Sequence, residues 1–258
     1  MRRVNSRRAR QLMDNTLYVG LSRQMTLRRE FDLLANNIAN AETVGFKTES
    51  LMLDDEPTRP KPPRGPAQGP IHFVMDQGVA RDFSQGSLKQ TGNPLDLAVS
   101  GDGFFQVADT AGARFTRDGR FTIDSEGKLT TQAGAPVMSD SGGEIILDPS
   151  KGPPRIAEDG TVSQGGAIIG RVGVYRFADL AALSKEGDNL YSNKSNLQPE
   201  QANDAKVVQG ATEGSNVQTI LQMTRLIEVS RAYESTAKMI DNIGSLSSQS
   251  VQRLGRAQ

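Results

Sequence analysis

Two stretches of the chain repeat apolar residues at helical spacing, and they lie at its opposite ends. Between residues 13 and 41 the seam positions recur in alternating steps of four and three, which predicts a long amphipathic helix. These positions are Met13, Leu17, Gly20, Gln24, Leu27, Phe31, Leu34 and Ile38. A second pattern runs from residue 217 to 254 and predicts a C-terminal helix. One side of it carries Leu226, Val229, Tyr233, Ala237, Ile240 and Ile243.

Between these ends the hydrophobic period changes to two. Short β-rich runs alternate with glycine turns such as Asp118-Gly119 and Asp159-Gly160, which is typical of antiparallel hairpins. The pattern predicts a compact all-β domain. Its predicted strands cover residues 71–75, 79–84, 95–99, 104–107, 114–116, 121–123, 129–131, 137–138, 145–147, 155–156, 161–162, 167–177 and 190–191.

The pattern predicts an α+β fold in which an all-β domain is inserted between terminal helices that pair as a coiled-coil-like unit. Residues 13–45 and 215–258 form the helical assembly domain, and residues 86–205 form the β-rich domain. Residues 46–85 are predicted to be an extended connector, because the prolines between Asp54 and Pro70 remove backbone donors. Residues 1–12 form a basic leader that we expect to be disordered.

Composition narrows the possible functions. The 258 residues contain 30 Lys+Arg and 30 Asp+Glu, a balance that lacks the basic field of a nucleic-acid-binding protein. Cysteine is absent, which excludes disulfides and thiolate metal sites. The arginines near the N-terminus are followed by residues too polar for the apolar part of a signal peptide, so we expect no cleavable signal.

The sequence contains little that indicates a catalytic site. The one histidine, His72, follows the proline-rich stretch, and no serine lies in a Gly-x-Ser-x-Gly elbow. Asp102 and the run from Asp124 to Gly127 resemble fragments of calcium loops, but they lack the terminal bidentate glutamate and are better explained as turns. We therefore predict no enzymatic activity, no cofactor and no metal site. The alternative from another class is a secreted β-rich enzyme or carbohydrate-binding module whose helices cover its core.

What remains is an assembly subunit. Two terminal helices with apolar seams, repeated in every copy of a chain, make heterologous contacts that build open helical arrays. We predict that the ends gain order when neighbouring copies cover their seams. The residues predicted to form the assembly interface are Leu27, Phe31, Leu34, Ile38, Phe46, Leu226, Val229, Tyr233, Ile240 and Ile243.

Four blocks of the sequence resemble signatures of one family, the axial proteins of the bacterial flagellum, which comprise the rod and hook proteins. Residues 34–47 (LANNIANAETVGFK) resemble the N-terminal ANNxAN signature with its TxGFK ending. Residues 92–105 (GNPLDLAVSGDGFF) and 115–119 (FTRDG) resemble two internal blocks. Residues 213–217 (EGSNV) resemble the turn before the terminal helix. The four blocks occur in the family's order.

The resemblance implies a structural subunit of the basal-body rod, located in the periplasm. It also implies export through the flagellar export apparatus and assembly with copies of itself and with other rod proteins, without nucleic acid or a small-molecule substrate. The opening residues 17–22 and the compact middle domain are most similar to members of the proximal rod, with members of the distal rod as the runner-up. The proline-rich insert and the basic leader depart from the family pattern.

Overall fold

The fold is α+β, as predicted. The computed structural model describes residues 2–58, 71–110, 112–194 and 198–255, which contain two long helices and seventeen short strands. The described chain divides into two compact units. The helical unit comprises the described parts of residues 1–38, 49–80 and 219–258, and the β unit comprises those of residues 39–48 and 81–218.

Two helices and a β ribbon make up the helical unit. Helix α1 (Arg2–Ala39) begins eleven residues before the predicted start at residue 13, so the basic leader continues the helix. Helix α2 (Thr219–Gly255) lies close to its predicted bounds. Strands β1 (Glu49–Thr58) and β2 (Ile71–Arg81) pair with each other within the predicted connector. The prolines begin only at residue 57, which leaves most of both strands free to donate; residues 59–70 lie outside the described residues.

The two helices contact each other in antiparallel order. Leu27 and Leu34 of α1 share a buried apolar cluster with Val229 of α2. Further contacts link Gly20 to Ile240, Glu30 to Arg225 and Asn37 to Gln222. Because positions on α1 increase while their partners on α2 decrease, the chains of the two helices run in opposite directions.

The β unit contains the remaining strands. They are β3 (Leu88–Gln90), β4 (Leu97–Ser100), β5 (Phe104–Asp109), β6 (Gly112–Thr116), β7 (Phe121–Ile123), β8 (Leu129–Thr131), β9 (Arg155–Ile156), β10 (Thr161–Gln164), β11 (Ala167–Arg171), β12 (Val174–Arg176), β13 (Leu183–Lys185), β14 (Leu190–Asn193), β15 (Glu200–Gln201), β16 (Lys206–Gln209) and β17 (Ala211–Glu213). A six-stranded sheet has the order β13-β14-β6-β5-β12-β15, and a three-stranded sheet has the order β11-β10-β9. Strand pairs β16-β4, β17-β3 and β7-β8 complete the unit. The strands of these three pairs and of the pair β10-β11 run antiparallel to each other.

Strand β5 separates the two apolar cores of the β unit, because successive side chains point to opposite faces of a strand. Phe105 and Val107 enter the larger core, where Phe105 packs edge-on against Phe121. Phe104 enters a smaller aromatic core and packs edge-on against Tyr191. The few aromatic residues of the chain are therefore concentrated where the central sheet is covered.

The strand predictions and the structure differ mainly where the chain changes sheets. Residues 121–123, 129–131 and 155–156 are strands at their predicted bounds. The predicted strand 167–177 is two strands, because Val172 donates to Gly160 and Gly173 donates to Met138, which takes the chain from one sheet to another. Val137, Met138 and Ile146 of the predicted strands 137–138 and 145–147 form isolated bridges, and β1, β3, β13 and β15 were not predicted as strands.

Candidate assembly site and a buried charge cluster

The ten residues predicted to form an assembly interface fall into four environments. Leu27, Leu34 and Val229 are buried together inside the helix pair, with Leu226 and Tyr233 packed against them. Ile38, Ile240 and Ile243 are half-buried, whereas Phe31 is exposed. Phe46 lies in the β unit and is almost fully buried. The central seam residues are thus used within the chain itself.

Other apolar side chains of the helices remain exposed. Apart from Leu17, these side chains were not part of the predicted seam, because they lie on other sides of the helices than the seam residues do. They are Leu17, Tyr18, Leu21 and Met25 on α1, and Ile220, Leu221, Met223, Ile227, Met239 and Leu246 on α2.

Asn37 connects α1 to the base of the β ribbon. Its side-chain amide donates to the carbonyl of Glu49 over 2.7 Å, and its side-chain oxygen accepts from the Glu49 N–H over 2.9 Å. The amide also lies 3.3 Å from Oε1 of Gln222 on α2. The fully buried Asn37 side chain therefore imitates a neighbouring strand and satisfies backbone groups that burial would otherwise penalise.

Three charged side chains meet inside the β unit, and each comes from a different family-like block of the sequence. Lys47 Nζ donates to Oε1 of Glu213 over 2.6 Å, and Arg117 Nη1 donates to Oε2 over 3.0 Å. The side chains of Lys47 and Glu213 are 0% exposed and that of Arg117 is 3% exposed. The carboxylate also accepts the backbone N–H of Gly86. All three residues lie within family-like blocks, but no local pattern of the sequence indicates that they meet.

The charges of this cluster do not cancel. Two cations face one carboxylate, so the three ionised groups carry one excess positive charge. Two further donors have neutral partners: Lys47 also donates to the carbonyl of Ser84, and Nη2 of Arg117 donates to that of Gly101. Nε of Arg117 is buried and has no hydrogen-bond partner among the described residues. The guanidinium carbon of Arg117 lies 5.0 Å from the centre of the Phe104 ring, a cation–π contact. Among the described residues, Glu213 is therefore the carboxylate that both cations contact directly.

The segment that follows α1 is held against the same cluster. Gly45 donates its N–H to the carbonyl of Glu213, and Asn189 donates to that of Val44. Gly45 has φ +71°, a backbone conformation that favours glycine. A Cβ there would also lie 2.6 Å from the backbone of Arg117, so the available space requires glycine as well. Lys185 covers the ring of Phe46 at 4.4 Å. Phe46 thus anchors this segment inside the β unit.

Asn216 ties together three segments of the β unit near the same place. Its side-chain oxygen accepts from both the N–H and the hydroxyl of Thr48 over 2.8 Å. Its amide donates to the carbonyl groups of Asp82 and Ser84. Together with the charge cluster, Asn216 holds the segment that follows α1 beside the segment that precedes α2.

Lys47 should make stability depend on pH below 10.5. Burial lowers the pKa of Lys47 from its ordinary value of 10.5; Glu213 and Asp82 act to raise it, and Arg117 acts to lower it further. Between the folded and the ordinary pKa the unfolded chain binds more protons, so stability rises with pH across that window. We expect the free energy of unfolding, from denaturant titrations, to rise toward pH 10.5 more steeply in the wild type than in Lys47→Met. Parallel pH profiles would contradict the lowered pKa.

The described residues show no metal site and no helix that could span a membrane. Among them, no group of three or more His, Cys, Asp or Glu side chains is arranged to hold a metal ion. The side chain of His72, the single histidine, lies outside the described residues. In the described part of the chain, neither helix combines the length and the apolarity needed to cross a membrane.

Three family models match successive parts of the chain. The model described as flagella basal body rod protein matches residues 17–47. The flagellar hook protein FlgE/F/G D1 domain matches residues 98–164. The flagellar basal body rod FlgEFG protein C-terminal model matches residues 208–253. The first and last matches cover most of the two helices, and the middle match lies in the β unit.

Relatives of similar length match almost the whole chain. The flagellar basal-body rod protein FlgF of Caulobacter vibrioides is 54% identical over 95% of this chain and 99% of its own. FlgF of Mesorhizobium japonicum is 36% identical over 94% of this chain and 99% of its own. The flagellar basal-body rod protein FlgG of Bacillus subtilis is 30% identical over 88% of this chain and 94% of its own.

Proposed function

The chain belongs to the flagellar basal-body rod protein family, and we propose that its two terminal helices carry the contacts by which it joins the rod. It is a structural subunit of the basal-body rod, and it assembles with other rod components at the flagellar basal body. The relatives are structural rod proteins, and the family models point to no catalytic family. The two FlgF relatives are 54% and 36% identical to the chain and the FlgG relative is 30% identical, which supports a proximal position in the rod over a distal one.

The exposed apolar side chains of the helices are the observation that carries this proposal. Large apolar groups grouped on the surface of a soluble protein mark a site of association, because leaving them in water costs roughly 25 cal/mol per Å². These exposed groups do not stabilise a single copy of the chain, because the helix pair buries a different cluster, that of Leu27, Leu34 and Val229. The exposed apolar side chains are therefore available for contacts with neighbouring subunits.

The predicted assembly residues then have two different tasks. The buried residues of the seam hold α1 to α2 as a coiled-coil-like pair, whose outer surface meets the neighbours. Phe46 acts indirectly, since it anchors the segment after α1 inside the inserted β unit. Export through the flagellar export apparatus remains part of the proposal, and it is supported by the similarity to flagellar basal-body rod proteins.

Removing α2 should block assembly without unfolding the β unit. We expect a chain that ends at Gln218 to keep the β unit, because Lys47, Arg117 and Glu213 of its charge cluster all lie within residues 39–48 and 81–218. In a bacterium that lacks its own FlgF, the full chain should restore swimming and basal bodies with complete rods in electron micrographs. The truncated chain should restore neither.

The control for this experiment is Lys206→Gln, which removes an exposed ion pair with Glu158 and leaves both helices intact. It should restore rods as the full chain does. Tyrosine near-ultraviolet circular dichroism of the purified truncated chain should show that its aromatic core persists. Complete rods built by the truncated chain would refute the role of the helices.

A further inference from the structure

We propose that the buried charge cluster of Lys47, Arg117 and Glu213 is a folding latch. By this we mean that the β unit folds only once the segment that carries Glu213 has joined the segments that carry the two cations. The latch rests on the proposed function only for its consequence in export: the chain stays unfolded until nearly all of it has left the export channel.

The β unit is closed by pairing between its first and its last strands. Strand β3 pairs with β17, which places Leu88 opposite Glu213. Strand β4 pairs with β16, and this pair supplies Leu97 and Val207 to the larger core. The larger core therefore stays incomplete until the last strands of the unit have reached the first ones.

The charge cluster lies at this closure. Glu213 is the last residue of β17, and its carboxylate accepts the N–H of Gly86, which lies just before β3. Gly214 donates its N–H to the carbonyl of Ser87 over 2.8 Å. A Cβ at Gly86 would overlap the carbonyl oxygen of Gly214, so the two backbones are in close contact. The carboxylate thus reaches its position in the cluster when β17 lies beside β3.

Folding without β17 would bury positive charge without the carboxylate that both cations contact. Arg117 follows β6, one of the two middle strands of the six-stranded sheet, and its guanidinium lies over the ring of Phe104 on β5. Packing Phe104 into the aromatic core therefore takes Arg117 out of water. A buried charge that has lost its partner lowers the ratio of folded to unfolded chain by about 100-fold or more.

The partners in the latch are far apart in the chain, which makes its closure slow. Lys47 and Arg117 lie 166 and 96 positions from Glu213, and Gly86 lies 127 positions from it. Joining such distant residues costs chain entropy before their contacts compensate it, so proteins rich in nonlocal pairs fold slowly. A chain that leaves a channel one end first has residues 47 and 213 outside together only when most of it has emerged. The latch postpones folding of the β unit until then.

Refolding kinetics of the purified full chain test the latch. In a background with Tyr18→Phe and Tyr233→Phe, the remaining tyrosines are Tyr175 and Tyr191, which lie in or against the aromatic core of the β unit. Refolding after dilution from denaturant, and unfolding in denaturant, are followed by tyrosine fluorescence. For Glu213→Gln we expect refolding about 100-fold slower and an unfolding rate changed by less than about threefold, because the cluster forms in the rate-limiting step.

The matched control is Leu129→Ala. Leu129 is buried in the larger core, but it belongs to the local hairpin of β7 and β8. We expect this variant to unfold faster and to refold within about threefold of the wild-type rate. A Glu213→Gln chain that refolds at the wild-type rate and only unfolds faster would overturn the latch, because the cluster would then close after the rate-limiting step.

Adding Lys47→Met to Glu213→Gln separates the effect of charge from that of lost hydrogen bonds. Removing one of the two unbalanced cations should make refolding about tenfold faster than in Glu213→Gln alone. No recovery would show that charge does not set the rate and would overturn the latch.

Should Glu213→Gln fail to fold, Glu213→Asp replaces it. This substitution keeps the charge and withdraws the carboxylate by one methylene, so refolding should slow at an unchanged unfolding rate; the reverse would contradict the latch. These measurements do not involve the rod, so their failure leaves the proposed function intact. Failure of the full chain to restore rods would reject the proposed function and alter no refolding rate.

Discussion

Replacing Glu213 with glutamine is expected to lower the free energy of unfolding of the β unit by about 3–5 kcal/mol, the usual cost of breaking a buried ion pair. The substitution keeps the size of the side chain and removes its charge. Lys47 and Arg117 would then lie buried without the carboxylate that both contact, and both side chains are at most 3% exposed. Denaturant titration followed by tyrosine near-ultraviolet circular dichroism measures the change, because Tyr191 lies in the aromatic core of the β unit.

Two further substitutions make this measurement specific. Glu158→Gln removes the same charge from an exposed pair with Lys206, so we expect a change within about 1 kcal/mol. Lys47→Met leaves Arg117 and Glu213 as a balanced pair and should cost less than Glu213→Gln. If Glu158→Gln and Glu213→Gln destabilise the chain equally, the charge cluster does not hold the β unit together.

Replacing Gly119 with alanine is expected to destabilise the β unit by about 3 kcal/mol or more, at the upper end of the cost of overpacking. An added Cβ would overlap the carbonyl oxygen of Leu97, which is backbone and cannot rotate away. Leu97 is fully buried, and its N–H donates to the carbonyl of Gly119 over 2.9 Å. The two segments would have to separate, which breaks this hydrogen bond and opens the larger core at β4.

Gly170→Ala is the matched control for Gly119→Ala. Gly170 lies in the edge strand β11, and a Cβ at this position would meet no described atom within 4 Å. We expect a change within about 0.5 kcal/mol, as for most surface substitutions. Hydrogen exchange of the Leu97 amide provides a second measurement: protection should fall in Gly119→Ala and stay unchanged in Gly170→Ala. Equal stability of the two variants would contradict the close approach of Gly119 to Leu97.

The helices and many strands could be predicted because their signals are local. A heptad-like repeat identified the N-terminal helix, an apolar pattern at helical spacing identified the C-terminal helix, and glycine turns identified β7, β8 and β9 at their observed bounds. The helical start at Arg2 was missed, because residues 2–12 carry no apolar seam. Strands β3, β13 and β15 were missed because each has only two or three residues, too few to establish a period.

The candidate site was predictable in part. Periodicity correctly placed Leu27, Leu34 and Val229 on apolar sides of their helices, but it could not decide whether the same chain or a neighbour covers them. Nor could it indicate that Phe46 packs into the β unit. The exposed apolar side chains of the helices escaped notice because they lie beside the dominant seam, and a sequence pattern shows apolar side chains without showing what they contact.

By itself, the sequence determined the α+β class, the two terminal helices and the resemblance to the flagellar axial proteins. Only the tertiary structure decided that Lys47, Arg117 and Glu213 meet in one buried cluster, and which apolar residues of the helices stay in water. The physical reason is distance along the chain. Helical and strand periods arise between residues a few positions apart, whereas the partners of Glu213 lie 96 and 166 residues away.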